Sequence, residues 1–99
     1  MYIQKEKIEA DERKARANFF KHGITFQEAE TCFDDPCILM RHDVPHSVGE
    51  DRYIAIAKSS MGRVLMMVFT VRRDRDGQKI YRIISARHAN QKERENYPR

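Results

Sequence analysis

The segment HSVGEDRY, residues 46–53, places groups capable of acid–base chemistry at the start of a predicted buried strand. They are the imidazole of His46, the carboxylates of Glu50 and Asp51, and the guanidinium of Arg52. A histidine or a carboxylate takes a proton from a reacting hydroxyl, and an arginine holds an anion. The segment therefore has the residue types of a site that acts on an anionic substrate.

A second candidate, RIISARH at residues 82–88, ends a later predicted strand. Period 2 predicts one strand face with Ile80, Arg82, Ile84 and Ala86 and another with Tyr81, Ile83, Ser85 and Arg87. An arginine among isoleucines needs either a carboxylate partner or a bound anion such as phosphate, because burying an unpaired charge is costly. If Arg52 shares a face with Arg82, the anion is favoured, and that depends on the strand register.

The sequence predicts no metal and no cofactor. His42 and His46 are spaced like a pair of metal ligands, but Pro45 lies between them in a predicted loop, which does not hold both side chains on one side. The chain also contains no glycine-rich phosphate loop, no Cys-x-x-Cys pair and no nucleophile elbow.

Length and composition predict one cytoplasmic domain that covers residues 1–99. A chain of 99 residues, 40% hydrophobic and 34% charged, is long enough for a single core. Its longest apolar run, residues 64–69, is far shorter than the roughly 20 residues of a membrane-spanning helix, and the N-terminus lacks the apolar stretch of a secretory signal. Cys32 and Cys37 are predicted to be free thiols.

Basic residues are concentrated in the C-terminal third. Residues 1–71 contain 10 Lys and Arg against 11 Asp and Glu, whereas residues 72–99 contain 9 against 4. Such a cluster favours a polyanion or an acidic protein partner, and a solvated charged surface is the alternative. Lys21 and His22 end the first predicted helix, where cations complement the helix dipole, so capping explains them without a ligand.

Two helices are predicted in the N-terminal third, and they are expected to form a hairpin. Helical spacing of apolar residues predicts the first over residues 11–22, with Asp11 as its cap. Thr25 and Glu28 have capping-box spacing, in which each side chain bonds the backbone N–H of the other, and they predict a second helix over residues 26–33.

From residue 38 onward the period changes from 3.6 to 2, which predicts an antiparallel meander of about four strands. The predicted strands cover residues 38–42, 51–58, 64–73 and 79–87, with an Asp-Gly hairpin loop at residues 74–77. A last helix is predicted after Asn90, which is at capping-box spacing from Glu93. The fold class is therefore α+β.

Three segments in the same order resemble the BrnT family of bacterial ribonuclease toxins. They are NFFKHGITFQEAETCFDDP, HSVGEDRYIAIAKSSMGRVLMMVFTVRR and IYRIISARHANQKERENY, and the resemblance extends over about residues 8–97. Two positions depart from the family pattern, since Ala10 stands where a tryptophan is usual and Lys58 where a small residue is common. Residues 1–7 are interpreted as an N-terminal extension.

The resemblance implies a RelE-like fold and a toxin of a type II toxin–antitoxin system that cleaves RNA and inhibits translation. It also implies a BrnA-like antitoxin that binds DNA, with a homodimer as a possible arrangement within the toxin–antitoxin complex. The alternatives from the residues alone are a non-catalytic nucleic-acid-binding module and a protein-interaction module, because a basic third suits both.

A metal-independent ribonuclease needs a base for the ribose 2′-hydroxyl, cations for the phosphate and a proton donor for the leaving 5′-oxygen. Under this reading, Glu50 or His46 is the base, Arg82 and Arg87 hold the phosphate, and Arg52 and Lys21 orient the substrate. The expected RNA-binding residues are Lys21, His22, Lys58, Lys92 and Arg94.

Overall fold

The computed structural model of the chain describes residues 7–98, which form one five-stranded sheet and three helices. The elements in chain order are β1 (Lys7–Ala10), α1 (Glu12–His22), α2 (Phe26–Thr31), β2 (Leu39–His42), β3 (Asp51–Lys58), β4 (Val64–Arg73), β5 (Lys79–His88) and α3 (Gln91–Asn96). The strand order in the sheet is β1-β5-β4-β3-β2. β1 runs parallel to β5, and the other neighbouring strands are antiparallel.

The mixed α+β architecture is confirmed, but the predicted sheet was one strand too small. β2 to β5 form an antiparallel meander, as period 2 indicated, and β1 adds a parallel edge strand beside β5. β1 is only four residues long and its pairing partner lies more than 70 positions away, so no local pattern marks it. Lys7, interpreted as the end of an extension, begins this strand; the rest of that extension, residues 1–6, lies outside the described residues.

The caps of the first two helices follow the local sequence, with one difference. The carboxylate of Asp11 accepts hydrogen bonds from the backbone N–H groups of Arg13 and Lys14, and Gly23 ends α1 with a φ of 71°. Thr25 accepts from the backbone N–H of Glu28, as predicted. The reciprocal half of that capping box does not form, because the carboxylate of Glu28 is bound elsewhere.

Glu28 instead fastens α2 to the turn between β3 and β4. Its buried carboxylate accepts hydrogen bonds from Ser59 Oγ at 2.7 Å and Arg63 Nε at 2.9 Å, and Arg63 Nη2 binds its second oxygen. These bonds lower the pKa of Glu28, the one from Arg63 most strongly. The helix ends at Thr31, two residues earlier than predicted, and continues as a 3₁₀ turn over Cys32–Asp34.

One face of the sheet carries the core, and α1 and α2 pack on it. The fully buried residues from the sheet include Ala55, Leu65, Met67, Phe69 and Ile83, and they meet Ile24, Phe26 and Ala29. Asn18 ties α1 to β5: its amide donates to the carbonyls of Ile24 (3.0 Å) and Ala86 (2.8 Å) and accepts from the N–H of Ala86 (2.9 Å).

On the opposite side of the sheet, called here the open face, α3 lies beside β2 and β3. α3 is held by a bidentate hydrogen bond from Arg87 to the carboxylate of Glu93. The hydroxyl of Tyr97, which follows α3, donates to Asp35 at 2.6 Å. This bond raises the pKa of Tyr97 to about 12. Both described cysteines are free, and within residues 7–98 no helix has the length and apolarity to cross a membrane.

Candidate active site

Two arginines lie in one row on the open face. Arg52 of β3 pairs with Thr70 of β4, and Thr70 pairs with Arg82 of β5. Paired residues on neighbouring strands point to the same side of a sheet, so the strand register that was open at the sequence level places both guanidinium groups on one face. Two strand spacings separate their Cα atoms by about 10 Å. We refer to Arg52, Thr70 and Arg82 as the arginine row.

Arg52 has unused hydrogen-bonding capacity. Its side chain is half-buried, and its buried Nε has no hydrogen-bond acceptor among the described residues. The guanidinium also lies near Asp43, whose pKa is lowered chiefly by a hydrogen bond from His46 and further by the charges of His46 and Arg52. A buried donor without an acceptor is costly.

Arg82 has only a loose carboxylate partner. Its Nη2 lies 3.9 Å from Asp11, and its side chain is 44% exposed. Asp11 is already engaged as the cap of α1, which is why its pKa is lowered first by the backbone N–H of Lys14. The guanidinium of Arg82 is therefore exposed and able to bind a further anion, unlike the buried pair that the sequence allowed.

A β-bulge brings Arg87 onto the same face as Arg82. Val68 pairs with Ser85 while its neighbour Phe69 pairs with Ile83, so Ile84 is an extra residue and the alternation reverses there. The sequence prediction that Arg82 and Arg87 lie on opposite faces is thus wrong. Arg87 is not free, however, because Glu93 binds it at 2.8 and 3.0 Å and has its pKa lowered mainly by that contact.

His46 lies in a turn that is fastened to the arginine row. The N–H of Asp43 donates to the carbonyl of Arg52 at 2.7 Å, and the N–H of Arg52 donates to Ser47 Oγ at 2.9 Å. The carboxylate of Asp43 binds His46 Nδ1 at 2.9 Å. This contact fixes the orientation of the imidazole and directs Nε2 away from Asp43, which is the arrangement of a proton-transfer histidine with an orienting carboxylate. Glu50 is exposed in the residue before β3.

The two histidines of the His42-x-x-x-His46 spacing have separate partners. His42 Nε2 lies 3.4 Å from Asp51, and the ring of His42 stacks on that of Tyr53 with 4.8 Å between centroids. His42 pairs with Tyr53, which is on the core side of the sheet, whereas His46 binds Asp43.

The predicted RNA-binding residues divide between the two sides of the sheet. Lys92 and Arg94 belong to α3, and Lys58 points to the open face with its Nζ 5.9 Å from the centroid of the Tyr97 ring. Lys21 and His22 are the last residues of α1, on the helix side of the sheet. The structure therefore does not bring Lys21 and His22 together with the arginine row.

Sequence analysis missed Thr70 and Asp43 as members of the site. Thr70 is buried between the two arginines, and Asp43 links His46 to Arg52. Arg41 and Arg72 also point to the open face. Arg41 pairs with Ile54, which lies two residues from Arg52 in β3, and Arg72 lies two residues from Thr70 in β4. Arg72 binds Glu9 at 2.8 Å. The period of 2 in β2 and β4 assigns each strand residue to one of the two faces of its own strand. It does not show which face of one strand lies on the same side of the sheet as a given face of the next strand.

Fold and site together define a class: a small basic α+β protein with an arginine-lined sheet face and a histidine–aspartate pair at its edge. The family described as the ribonuclease toxin BrnT of type II toxin–antitoxin systems matches residues 11–93. The crystal structure of the Brucella abortus ribonuclease toxin BrnT is similar, with a TM-score of 0.63 and 25% identity; the match covers 88% of this chain and 100% of that one. A search of curated proteins gave no match.

The chain belongs to the BrnT family of ribonuclease toxins of type II toxin–antitoxin systems. The resemblance seen in its three sequence segments is thereby confirmed. Membership of a type II system implies an antitoxin partner for this chain.

Proposed function

We propose that this toxin is a metal-independent endoribonuclease that binds the scissile phosphate of RNA on the arginine row. The observation that carries the proposal is the shared face of Arg52 and Arg82. The Cα atoms of Arg52 and Arg82 are about 10 Å apart, which is close enough for both guanidinium groups to reach one phosphate group.

The proposed reaction is an attack of the ribose 2′-oxygen on the adjacent phosphorus. The new P–O bond closes a 2′,3′-cyclic phosphate, the bond to the 5′-oxygen breaks, and that oxygen leaves with a proton taken from water. His46 or Glu50 takes the proton of the 2′-hydroxyl. Arg52 and Arg82 stabilise the negative charge that grows on the phosphate, a contribution typically worth about 10²–10³ in rate.

His46 is the stronger of the two candidate bases on geometric grounds. Its imidazole is held by Asp43, and the turn that carries both residues is hydrogen-bonded to the backbone of Arg52 in β3. The exposed Glu50 has no comparable support among the described contacts, and it remains the second candidate.

Neighbouring cations extend the proposed RNA surface along the open face. Lys58, Lys92 and Arg94 would contact phosphates on either side of the cleaved bond, and Arg87 would contribute only after exchanging Glu93 for a phosphate. Lys21 and His22 are proposed to contact RNA only where the strand passes the end of α1.

In the cell, the proposed role is inhibition of translation through RNA cleavage in the cytoplasm. We propose a RelE-like fold and neutralisation by a BrnA-like, DNA-binding antitoxin, with a toxin homodimer within the complex. The family match supports this assignment, since a type II toxin requires a protein inhibitor.

The test is single-turnover cleavage of RNA by purified toxin with EDTA present. We expect wild-type cleavage to persist, and Arg52→Ala and Arg82→Ala each to lower the rate by about 10²–10³ with melting temperatures preserved. Arg75→Ala, at the exposed hairpin loop, is the matched control and should cleave normally. Unchanged cleavage in both row variants would refute the proposed site, and loss of wild-type cleavage in EDTA would refute metal independence.

A further inference from the structure

Two neighbouring phenylalanines on α1 are exposed to solvent. Phe20 is 94% exposed and Phe19 is 55% exposed, although each ring offers one of the largest apolar surfaces among the side chains. They border a cavity of about 480 Å³ between α1 and the start of α2, whose lining also includes Ala15 and Phe26. We call this surface the α1 patch. Contiguous exposed apolar surface of this kind marks an interaction site.

The helix that carries the α1 patch is positively charged, with four Lys or Arg and one Glu among the charged residues of Glu12–His22. At 100° per residue, Arg13 and Arg16 lie on the side of α1 that carries Phe20, whereas Lys14 and Lys21 lie on the other side. Within residues 7–98, no carboxylate pairs with Arg13 or Arg16, and both are exposed. Arg16 and Glu12 border the cavity itself. The surface is thus complementary to a partner that carries apolar side chains among acidic ones.

The α1 patch lies on the helix side of the sheet, opposite the arginine row. α1 packs on the core face through Asn18 and Ala15, whereas Arg52 and Arg82 point to the open face. A molecule seated on the patch therefore contacts a surface that the proposed catalytic residues do not use.

We propose that the α1 patch anchors an acidic segment of the antitoxin, with one or more large apolar side chains in the cavity. The inference rests on the antitoxin partner of the proposed function. Self-association through the patch is disfavoured because it would bring two positively charged helices together. RNA bases stack on exposed aromatic rings, so RNA is tested below as the alternative occupant.

The test uses the full-length toxin and the antitoxin encoded beside it, with affinity measured by calorimetry. Phe20→Ser removes a ring that makes almost no contact within the toxin, so the fold should be retained. Truncation of an interface hot spot costs about 30-fold or more in affinity, and we expect at least that loss for Phe20→Ser. Met61→Ser, in the turn between β3 and β4, is the matched control because Met61 is also exposed at 66%.

A charge variant and a cleavage assay complete the design. Arg16→Glu should weaken antitoxin binding, whereas Arg75→Glu, with the same change in net charge, should not. Cleavage by free Phe20→Ser toxin should match wild type, and the antitoxin concentration needed for half-inhibition should rise by the same factor as the dissociation constant.

Three results would overturn the inference. The first is that Phe20→Ser binds the antitoxin as tightly as wild type does. The second is that Phe20→Ser loses affinity for RNA, which would assign the patch to RNA. The third is that the wild-type toxin forms a dimer which Phe20→Ser dissociates. Failure of wild-type toxin to bind antitoxin would refute the partner itself, and failure to cleave RNA would refute only the proposed catalytic site.

Discussion

Asp43 is the residue that connects the two parts of the candidate active site. Its carboxylate binds His46 Nδ1, its charge acts on Arg52, and its backbone N–H bonds the carbonyl of Arg52. Its side chain is only 13% exposed, so these contacts lie in a partly desolvated place where charges interact more strongly than in water. At the scale of single residues, Asp43 thus binds His46 through its carboxylate and Arg52 through its backbone N–H.

This arrangement leads to a prediction about the general base. If His46 is the base, His46→Gln should lower the single-turnover cleavage rate by about 10²–10⁴. Asp43→Asn should also slow cleavage, because the imidazole loses its orienting carboxylate. His88→Gln is the control, since His88 is exposed at the end of β5. A rate loss in Glu50→Gln but not in His46→Gln would assign the base to Glu50 instead.

At the scale of elements, α2 and the β3–β4 turn are joined by the buried carboxylate of Glu28. The turn contributes Ser59 and Arg63, and the helix contributes the carboxylate, which is 3% exposed. The same turn is also bonded to the C-terminal end of α2, where Thr31 Oγ1 accepts from the N–H of Ser60 at 2.8 Å. Loss of the carboxylate charge should therefore loosen α2 from the sheet.

The lowered pKa of Glu28 predicts an acid-sensitive contribution to stability. Its folded pKa lies below the ordinary value of 4.5, so the ionised carboxylate stabilises the fold above that pH. This contribution is lost as the pH falls through the folded value. Glu28→Gln should unfold more easily than wild type at neutral pH, and the difference should narrow below about pH 4.5.

The measurement is urea denaturation at a series of pH values, with Glu95→Gln, an exposed carboxamide substitution on α3, as the control. A constant gap between wild type and Glu28→Gln down to the most acidic condition would contradict the prediction.

At the scale of the whole molecule, basic residues lie on two separate surfaces. The open face carries the arginine row and the cations of α3, and α1 carries Arg13 and Arg16 beside the α1 patch. The proposals assign the first surface to RNA and the second to an acidic protein segment. Their physical separation by the sheet lets the two binding reactions be tested independently.

Salt dependence distinguishes the two surfaces. The affinity for a single-stranded 2′-O-methyl RNA, which binds but lacks the attacking hydroxyl, should fall with log salt at a slope of about −0.7 per neutralised phosphate. Arg52→Ala and Arg82→Ala should each reduce that slope by about 0.7, and Lys92→Ala should weaken binding only modestly. Phe20→Ser should leave the slope unchanged. Fluorescence polarisation provides the measurement, and a salt-independent affinity would contradict an electrostatic RNA surface.

The amino-acid sequence by itself determined the elements whose signals are local. The bounds of β3 and β4, the cap by Asp11 and the glycine after α1 were predicted correctly, because near neighbours in the chain decide them. The sequence also identified Arg52 and Arg82 as candidates and, through three segments, the toxin family.

Only the tertiary structure decided how those residues combine. The arginine row unites residues 52, 70 and 82, and their common face depends on pairing between three strands. The extra residue at Ile84 then reverses the face of everything beyond it in β5, so strict alternation misplaced Arg87. Likewise, the Glu28 carboxylate does not bond the backbone N–H of Thr25, as the local pattern predicted. It bonds Ser59 and Arg63, which are more than 30 positions away. Such outcomes follow from contacts between distant segments, whose free energies no local pattern contains.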